Sequence, residues 1–257
     1  MEQIQNNRVI TDLYRENAQF PGIALDGSDV YLCWQRFVDR HDSLMASCRR
    51  GDEVVWEREI SDGGEVLHPV ILAHGGAIWY AWSEYARENW RILARCYRDG
   101  QWGEVLTVAS GEALFFPRLF TWQGRLHVIW TEQHKGSAAA VLCPLTEAGP
   151  GAAETVSAVG EAYRAGAAEG GDGNLYVAYD GFDGKQYKLF ARARTAAGWS
   201  KEIVVSQGED WASTPWIAAK PDGAVVGWYD YGYMAVYSVR SADLTVRDGA
   251  LAAVNPQ

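Results

Sequence analysis

The chain has 257 residues, of which 48% are hydrophobic, and a formal net charge of -10 at pH 7. This length and composition are sufficient for a large hydrophobic core without disulfide support. An acidic protein is attracted neither to nucleic acid nor to an anionic membrane surface, and we expect neither as a partner.

The N-terminal segment has no apolar stretch of the kind that signal peptides carry, and no run in the chain approaches the ~20 apolar residues that span a bilayer. The four cysteines, Cys33, Cys48, Cys96 and Cys143, lack the close spacing of a zinc or redox site. We expect them to be small buried thiols. This cysteine usage favours a cytoplasmic protein, with a secreted protein whose leader was removed as the alternative.

One pattern returns five times along the chain. Its anchors are spaced 48, 48, 49 and 49 residues apart, at Pro21, Pro69, Pro117, Gly166 and Pro215. Thirteen residues after each anchor stands an aromatic residue: Trp34, Trp82, Trp130, Tyr179 and Trp228. A period near fifty with several short strands per unit is typical of a β-propeller.

Each repeat predicts four strands. A short apolar run follows the anchor, and a turn with glycine leads to a second strand that ends at the repeated aromatic residue. A third strand and a fourth complete the unit, and the fourth begins with Trp56, Trp102 or Trp199 in three repeats. The second strand is apolar on both faces, so the repeated aromatic residue is expected to be a wedge between blades; ligand stacking is the alternative.

These repeats predict an all-β, five-bladed β-propeller of four-stranded antiparallel blades in a single domain over residues 1–257. The repeats cover approximately 20–67, 68–115, 116–164, 165–213 and 214–257. Residues 6–14 resemble the end of a repeat and are expected to close the ring as the outer strand of the last blade, a position for which 244–254 compete. A six-bladed ring is the alternative if the termini build another blade.

The repeated pattern P-x-I-A, G-x-V-Y-L-x-W, A-R and G-x-W resembles the repeats of sialidase-like propellers and of propeller lectins of the tachylectin type. The resemblance covers nearly the whole chain and does not include the Asp-box motif of sialidases. It implies the propeller fold.

The loops from the second to the third strand and from blade to blade lie on one face of a propeller, where we expect a site. Charged residues that depart from the repeat are the best candidates near the central channel. Arg118 and Glu169 replace apolar or small residues on the innermost strands, either as an ion pair between blades or as ligand contacts. Tyr163, Arg164 and His68 stand just before the anchors and are further candidates.

The leading functional hypothesis is a non-enzymatic recognition propeller for a carbohydrate or a similar polar ligand. Sugars stack on aromatic rings while carboxylates accept hydrogen bonds from their hydroxyls. The candidate aromatic platforms outside the wedge position are Trp90, Trp211, Trp216, Tyr85, Tyr231 and Tyr233. No motif indicates a cofactor or a metal.

Two alternatives belong to other classes. A glycoside hydrolase would need two carboxylates about 5 to 10 Å apart, and the acids just after the repeated aromatic residue are the candidates: Glu84, Glu132, Asp180 and Asp230. A protein-interaction scaffold would instead use a broad exposed face to bind a protein partner.

Overall fold

A computed structural model describes residues 17–61, 63–232 and 237–254. The described residues form twenty-three β-strands arranged in five antiparallel sheets, and they contain no helix. The prediction of an all-β, five-bladed propeller is therefore confirmed. In these ranges no helix is long and apolar enough to cross a membrane.

Each blade is a meander whose strands follow one another in chain order. Blade 1 comprises β1 (Asn17–Asp26), β2 (Asp29–Val38), β3 (His41–Arg50) and β4 (Glu53–Glu59). Blade 2 comprises β5 (Glu65–His74), β6 (Ala77–Ala86), β7 (Asn89–Arg98), β8 (Gln101–Trp102) and β9 (Leu106–Gly111). Blade 3 comprises β10 (Ala113–Trp122), β11 (Arg125–His134), β12 (Ser137–Thr146), β13 (Gly149–Pro150) and β14 (Glu154–Thr155). Blade 4 comprises β15 (Ala162–Glu169), β16 (Leu175–Phe182), β17 (Tyr187–Thr195), β18 (Gly198–Trp199) and β19 (Ile203–Val204). Blade 5 comprises β20 (Trp211–Lys220), β21 (Gly223–Tyr231), β22 (Tyr237–Arg247) and β23 (Ala250–Val254).

The fourth, outermost strand differs among the blades. In blades 2, 3 and 4 it is divided into two short segments that pair with the same third strand. In blade 5 it is β23, which comes from the C-terminal tail and pairs with β22. The sequence did not decide which terminal segment supplies the outer strand of the last blade, and in the structure the C-terminal tail forms that strand. The predicted closing strand at residues 6–14 lies outside the described residues.

Every inner strand has a β-bulge at the same level, opposite the repeated aromatic residue. The first residue of each bulge has a positive φ between 42° and 56° although none is glycine. We call these five the bulge residues: Phe20, His68, Phe116, Arg164 and Thr214. Because all five blades share this uncommon conformation, the surrounding sheet imposes it, and it directs each bulge side chain in the same way relative to its blade.

The bulges correct the predicted alignment of the fourth repeat. Gly166 pairs with Ala178 as Gly22 pairs with Cys33, which makes Ala165 the equivalent of the proline anchors. The cause is a first turn one residue longer than in the other blades: five residues lie between the paired residues Glu169 and Leu175, whereas four lie between Leu25 and Val30. An alignment on the repeated aromatic residue therefore shifts the inner strand by one position.

Four hydrophobic clusters hold the blades together, each lying between two consecutive blades. The repeated aromatic residues Trp82, Trp130, Tyr179 and Trp228 are buried within them, which confirms the prediction of a wedge between blades. The four cysteines are free and buried, as predicted.

The junction between blades 5 and 1 differs from the other four. Ile71 of blade 2, and its equivalents in blades 3 to 5, pack in the interblade clusters. The equivalent residue of blade 1, Ile23, is 65% exposed, and Trp216 on the facing side of blade 5 is 45% exposed. Within the described ranges, no hydrophobic cluster closes this junction.

Candidate functional site

The bulge residues of four blades meet at the centre of the propeller. The ring of Phe20 lies 4.9 Å from that of His68, and the ring of His68 lies 4.2 Å from that of Phe116. The guanidinium carbon of Arg164 lies 6.0 Å from the centre of the Phe116 ring. Side chains from blades 1 to 4 thus contact one another in series near the axis, where a propeller would otherwise have an open channel.

An upper cavity of about 380 Å³ lies on the face that carries the loops from second to third strands. It is lined by His68, Phe116, Tyr163 and Arg164, together with Leu67, Phe115, Gln133 and Tyr187. Three predicted site residues, His68, Tyr163 and Arg164, are therefore brought together here. The cavity has aromatic walls and few polar groups, which is typical of sites that bind small molecules.

Arg164 and Asp180 form a buried ion pair at this cavity. The Nε of Arg164 donates a hydrogen bond to Oδ1 of Asp180 over 3.1 Å, and Nη2 donates to Oδ2. Asp180 has no exposed surface and lies behind Arg164, whose side chain is 33% exposed. Burial raises the pKa of Asp180 above its ordinary value, and the positive charge of Arg164 opposes this shift. The Thr131 hydroxyl accepts a hydrogen bond from the Arg164 backbone amide over 3.1 Å, which anchors this bulge to blade 3.

Asp180 differs from the other three loop acids in the face of the strand that it occupies. Glu84 and Asp230 accept hydrogen bonds from the indole Nε1 of the repeated tryptophans two residues earlier, over 3.2 Å and 2.6 Å. They also bind Arg91 and Arg240. Asp180 directly follows its repeated aromatic residue, Tyr179, and alternation turns it to the opposite face.

Glu132 lies two residues after Trp130, in the same register as Glu84 and Asp230. It borders a separate cavity with His134 and Ser137. Of the four predicted acids, Asp180 is therefore the one bound to a residue of the upper cavity.

A second carboxylate, Glu161, lies on the same strand face as Tyr163 and influences its phenol. Asp180 is the pairing partner of Tyr163 across the sheet, and Glu161 precedes Tyr163 by two residues. Burial chiefly raises the pKa of the Tyr163 phenol, and the negative charges of Glu161 and Asp180 add to this shift. Both carboxylates therefore act on the same cavity-lining phenol.

The predicted aromatic platforms are dispersed. Trp90 contacts the cavity residue Phe115, with ring centres 4.6 Å apart. Tyr231 contacts Tyr237, and Trp216 contacts Tyr229, both within blade 5. Tyr233 lies outside the described residues. Among the described platforms, Trp90 contacts the cavity residue Phe115 and Trp211 contacts the cavity residue Tyr187.

The predicted interblade pair of Arg118 and Glu169 is not formed. Glu169 accepts a hydrogen bond from the backbone amide of Gln123 over 3.0 Å, at a hairpin turn on the other face of the propeller. In the part of the chain that the structure describes, Arg118 has neither an ion pair nor a hydrogen bond. Of these two departures from the repeat, Glu169 therefore binds a turn of blade 3, whereas Arg118 binds no described residue.

Phe115, Gln133 and Tyr187 line the upper cavity and were missed by the sequence analysis. Tyr187 contacts Tyr163, with ring centres 6.2 Å apart, and Trp211, at 5.6 Å. The importance of Asp180 could have been predicted from the sequence. It is the only carboxylate directly after a repeated aromatic residue, where the other blades have Gln35, Ser83, Thr131 and Tyr229. The described residues contain no group of three or more His, Cys, Asp or Glu side chains that could hold a metal ion.

Comparison with known proteins finds similar structures but no similar sequence. No family model and no curated protein matches the sequence. An α-L-arabinofuranosidase from Fusarium graminearum superposes with a TM-score of 0.62 at 12% identity, over 90% of this chain and 85% of that one. An α-L-arabinofuranosidase from Lactobacillus brevis gives a TM-score of 0.56 at 10% identity, over 93% and 94%. A puromycin-hydrolysing peptidase from Mycobacterium tuberculosis gives 0.58 at 17% identity, over 93% of this chain and 37% of that chain.

These neighbours correct the leading functional hypothesis. The prediction of a non-enzymatic recognition propeller is wrong, because the similar structures are named as enzymes and most of them as glycoside hydrolases, including an arabinanase and a family-43 enzyme. The neighbours favour the hydrolase alternative. At identities of 10 to 17% the likeness establishes the propeller fold. It does not extend to the sialidase and lectin families named from the repeats.

Proposed function

We propose that this protein hydrolyses glycosidic bonds and that the sugar at the cleaved bond occupies the upper cavity. The observation that carries the proposal is the position of Asp180, a buried carboxylate held by Arg164 where the other four blades have no carboxylate. The aromatic walls of the cavity offer flat apolar surfaces to the C–H face of a sugar ring. The structural neighbours named as arabinofuranosidases make an arabinofuranoside the first substrate to test.

Glycoside hydrolysis needs one carboxyl group that gives a proton to the leaving oxygen and a second that activates water or attacks the sugar. Asp180 suits the first role, because burial raises its pKa. Glu161 suits the second, because it is half-buried on the same strand face as the cavity residue Tyr163. The two carboxyl groups thus have different surroundings, as an acid and its partner require.

Arg164 controls access to Asp180 in this proposal. It lies between Asp180 and the cavity, so a substrate reaches the carboxyl group only when the guanidinium moves. A substrate whose oxygens bind Arg164 would draw it away from Asp180. Without that positive charge, burial, the largest influence on the pKa of Asp180, favours its protonated form more strongly, against the backbone hydrogen bonds that lower this pKa.

The experiment is a turnover assay on a panel of 4-nitrophenyl glycosides that begins with the α-L-arabinofuranoside. Glu161→Gln and Asp180→Asn are each expected to lower kcat by roughly 100-fold or more, the usual contribution of general acid–base catalysis. The matched control is Glu65→Gln, since Glu65 precedes its bulge residue by three positions as Glu161 does. Equal turnover by Glu65→Gln and Glu161→Gln would remove Glu161 from the mechanism, and an inactive wild-type protein on every glycoside would reject the proposal.

A further inference from the structure

A second, lower cavity of about 390 Å³ lies on the central axis, next to the bulge residue Phe20. It is formed by the inner strands β1, β5 and β10, which contribute mostly apolar side chains such as Ile23, Val70 and Leu119. The one charged residue in its lining is Arg118. The lower cavity shares none of its lining residues with the upper cavity.

Arg118 is a positive charge without a partner in the described ranges. It is exposed to the cavity although it lies on an inner strand between buried Pro117 and half-buried Leu119. The surrounding protein disfavours its charged form and lowers its pKa from the ordinary value. Its equivalents in the other blades are Gly22, Val70, Gly166 and Trp216, so the charge is not a feature of the repeat.

His68 supplies a second unsatisfied polar group nearby. Its Nδ1 is buried and has no hydrogen-bond partner among the described residues, and its ring lies between those of Phe20 and Phe116. Burial, and to a smaller extent the charge of Arg118, lower the pKa of His68 to about 4. His68 is therefore neutral near pH 7.

We propose that Arg118 binds a small oxyanion, carrying a carboxylate or phosphate group, in the lower cavity. The guanidinium group presents paired N–H donors whose geometry matches the oxygens of such groups. An anion placed there would balance the charge of Arg118 beside side chains that are otherwise apolar. The protein as a whole carries a net charge of -10, so general electrostatic attraction would not draw an anion to it. Anion binding would therefore indicate a specific site.

The proposal is independent of the proposed hydrolysis, because the anion-binding residue Arg118 lines a different cavity. His68, which lines the upper cavity, serves here as a reporter of the charge on Arg118. The anionic group has two potential sources, a free inorganic anion or the carboxylate of an acidic sugar. Three sodium salts distinguish them when added at constant ionic strength against sodium chloride: phosphate, acetate and glucuronate. Binding of phosphate or acetate identifies a site for free anions, whereas binding of glucuronate alone identifies a site for an acidic sugar.

The experiment is isothermal titration calorimetry of these salts with the wild-type protein and with Arg118→Gln. The substitution is expected to weaken binding about tenfold or more, the loss that follows from removing a charge-assisted hydrogen bond. Arg247→Gln is the matched control, because Arg247 is exposed at the far end of β22 and forms no ion pair with the described residues. This control should bind like the wild type.

A second measurement on the wild-type protein does not depend on the folding of a variant. An anion bound to Arg118 would offset its charge, so the pKa of His68, followed by NMR, should rise when the anion is added. The proposal is overturned if none of the three salts binds, or if Arg118→Gln binds them as tightly as Arg247→Gln. An unchanged His68 titration with bound anion would place the anion elsewhere.

Discussion

Arg164 and Asp180 lie on neighbouring strands of blade 4, and the guanidinium group of Arg164 separates the carboxylate of Asp180 from the upper cavity. Both residues depart from the repeat, Arg164 among the bulge residues and Asp180 among the residues that follow the repeated aromatic residue. Because these two exceptions to the repeat bind each other, we infer that blade 4 requires this ion pair and the other blades do not. The ion pair is thus the natural starting point for tests of both stability and function.

Replacement of Arg164 by methionine should destabilise the fold. It leaves Asp180 buried without its cationic partner, and we expect the free energy of unfolding to fall by about 3 to 5 kcal/mol. The double variant Arg164→Met/Asp180→Asn should recover much of this loss, because no buried charge remains. Urea denaturation measures both values. Additive losses in the double variant would show that the two side chains do not depend on each other.

The pH dependence of stability should reveal the balance of forces on Asp180. Since burial raises its pKa in the folded state, its contribution to stability is fully present below its ordinary pKa of 3.8 and is lost as the pH rises through the folded-state value. The wild-type protein should therefore lose stability relative to Asp180→Asn as the pH rises above about 4. Urea denaturation at several pH values measures the difference. If the wild-type protein instead becomes more stable relative to Asp180→Asn as the pH rises, the charge of Arg164 outweighs burial in its effect on Asp180.

The junction between blades 5 and 1 can be tested with two equivalent isoleucines. Ile71 packs in an interblade cluster, and Ile71→Glu should destabilise the protein by about 3 kcal/mol or more, because it places a charge between blades. Ile23 is 65% exposed, and Ile23→Glu should change stability by no more than about 0.5 kcal/mol. Thermal unfolding of the two variants gives the comparison. Similar losses in both would mean that Ile23 is covered in solution.

Two repeated tryptophans differ in one hydrogen bond. The indole of Trp82 donates to Glu84 over 3.2 Å, whereas the indole nitrogen of Trp130 is buried and has no partner among the described residues. Phenylalanine at either position removes similar volume, but at Trp82 it also deprives a buried carboxylate of a donor. We expect Trp82→Phe to cost about 1.5 to 3 kcal/mol more than Trp130→Phe in the free energy of unfolding. Equal costs would show that the bond to Glu84 adds no net stability.

Much of the fold is predictable from the sequence because it is repeated. The spacing of the aromatic residues from Trp34 to Trp228 indicates five blades, and glycine-containing turns indicate where strands end. The spacing gives a wrong anchor in blade 4, because the first turn of that blade has one extra residue. The residue equivalent to the proline anchors is Ala165 and not Gly166. A single sequence offers no independent mark of where such a residue is inserted.

The site is less predictable because it depends on which blade faces meet. Arg164 and His68 depart visibly from the repeat, and the sequence analysis found both. Phe115 and Tyr187 look like ordinary strand residues and become site residues only through the packing of three blades around one cavity. The contrast between Asp180 and Glu84 likewise rests on a one-residue difference in position, which turns the two side chains to opposite faces of a strand.

The most direct test of the central claim compares two buried aspartates that both bind arginine. Asp180 lies beside the upper cavity, whereas Asp230 is bound by Trp228 and Arg240 on the opposite strand face. Steady-state turnover of the best glycoside from the panel should fall by roughly 100-fold or more in Asp180→Asn. It should stay close to the wild-type value in Asp230→Asn. Wild-type turnover in a folded Asp180→Asn protein, or equal losses in the two variants, would contradict the assignment of the active site to the upper cavity.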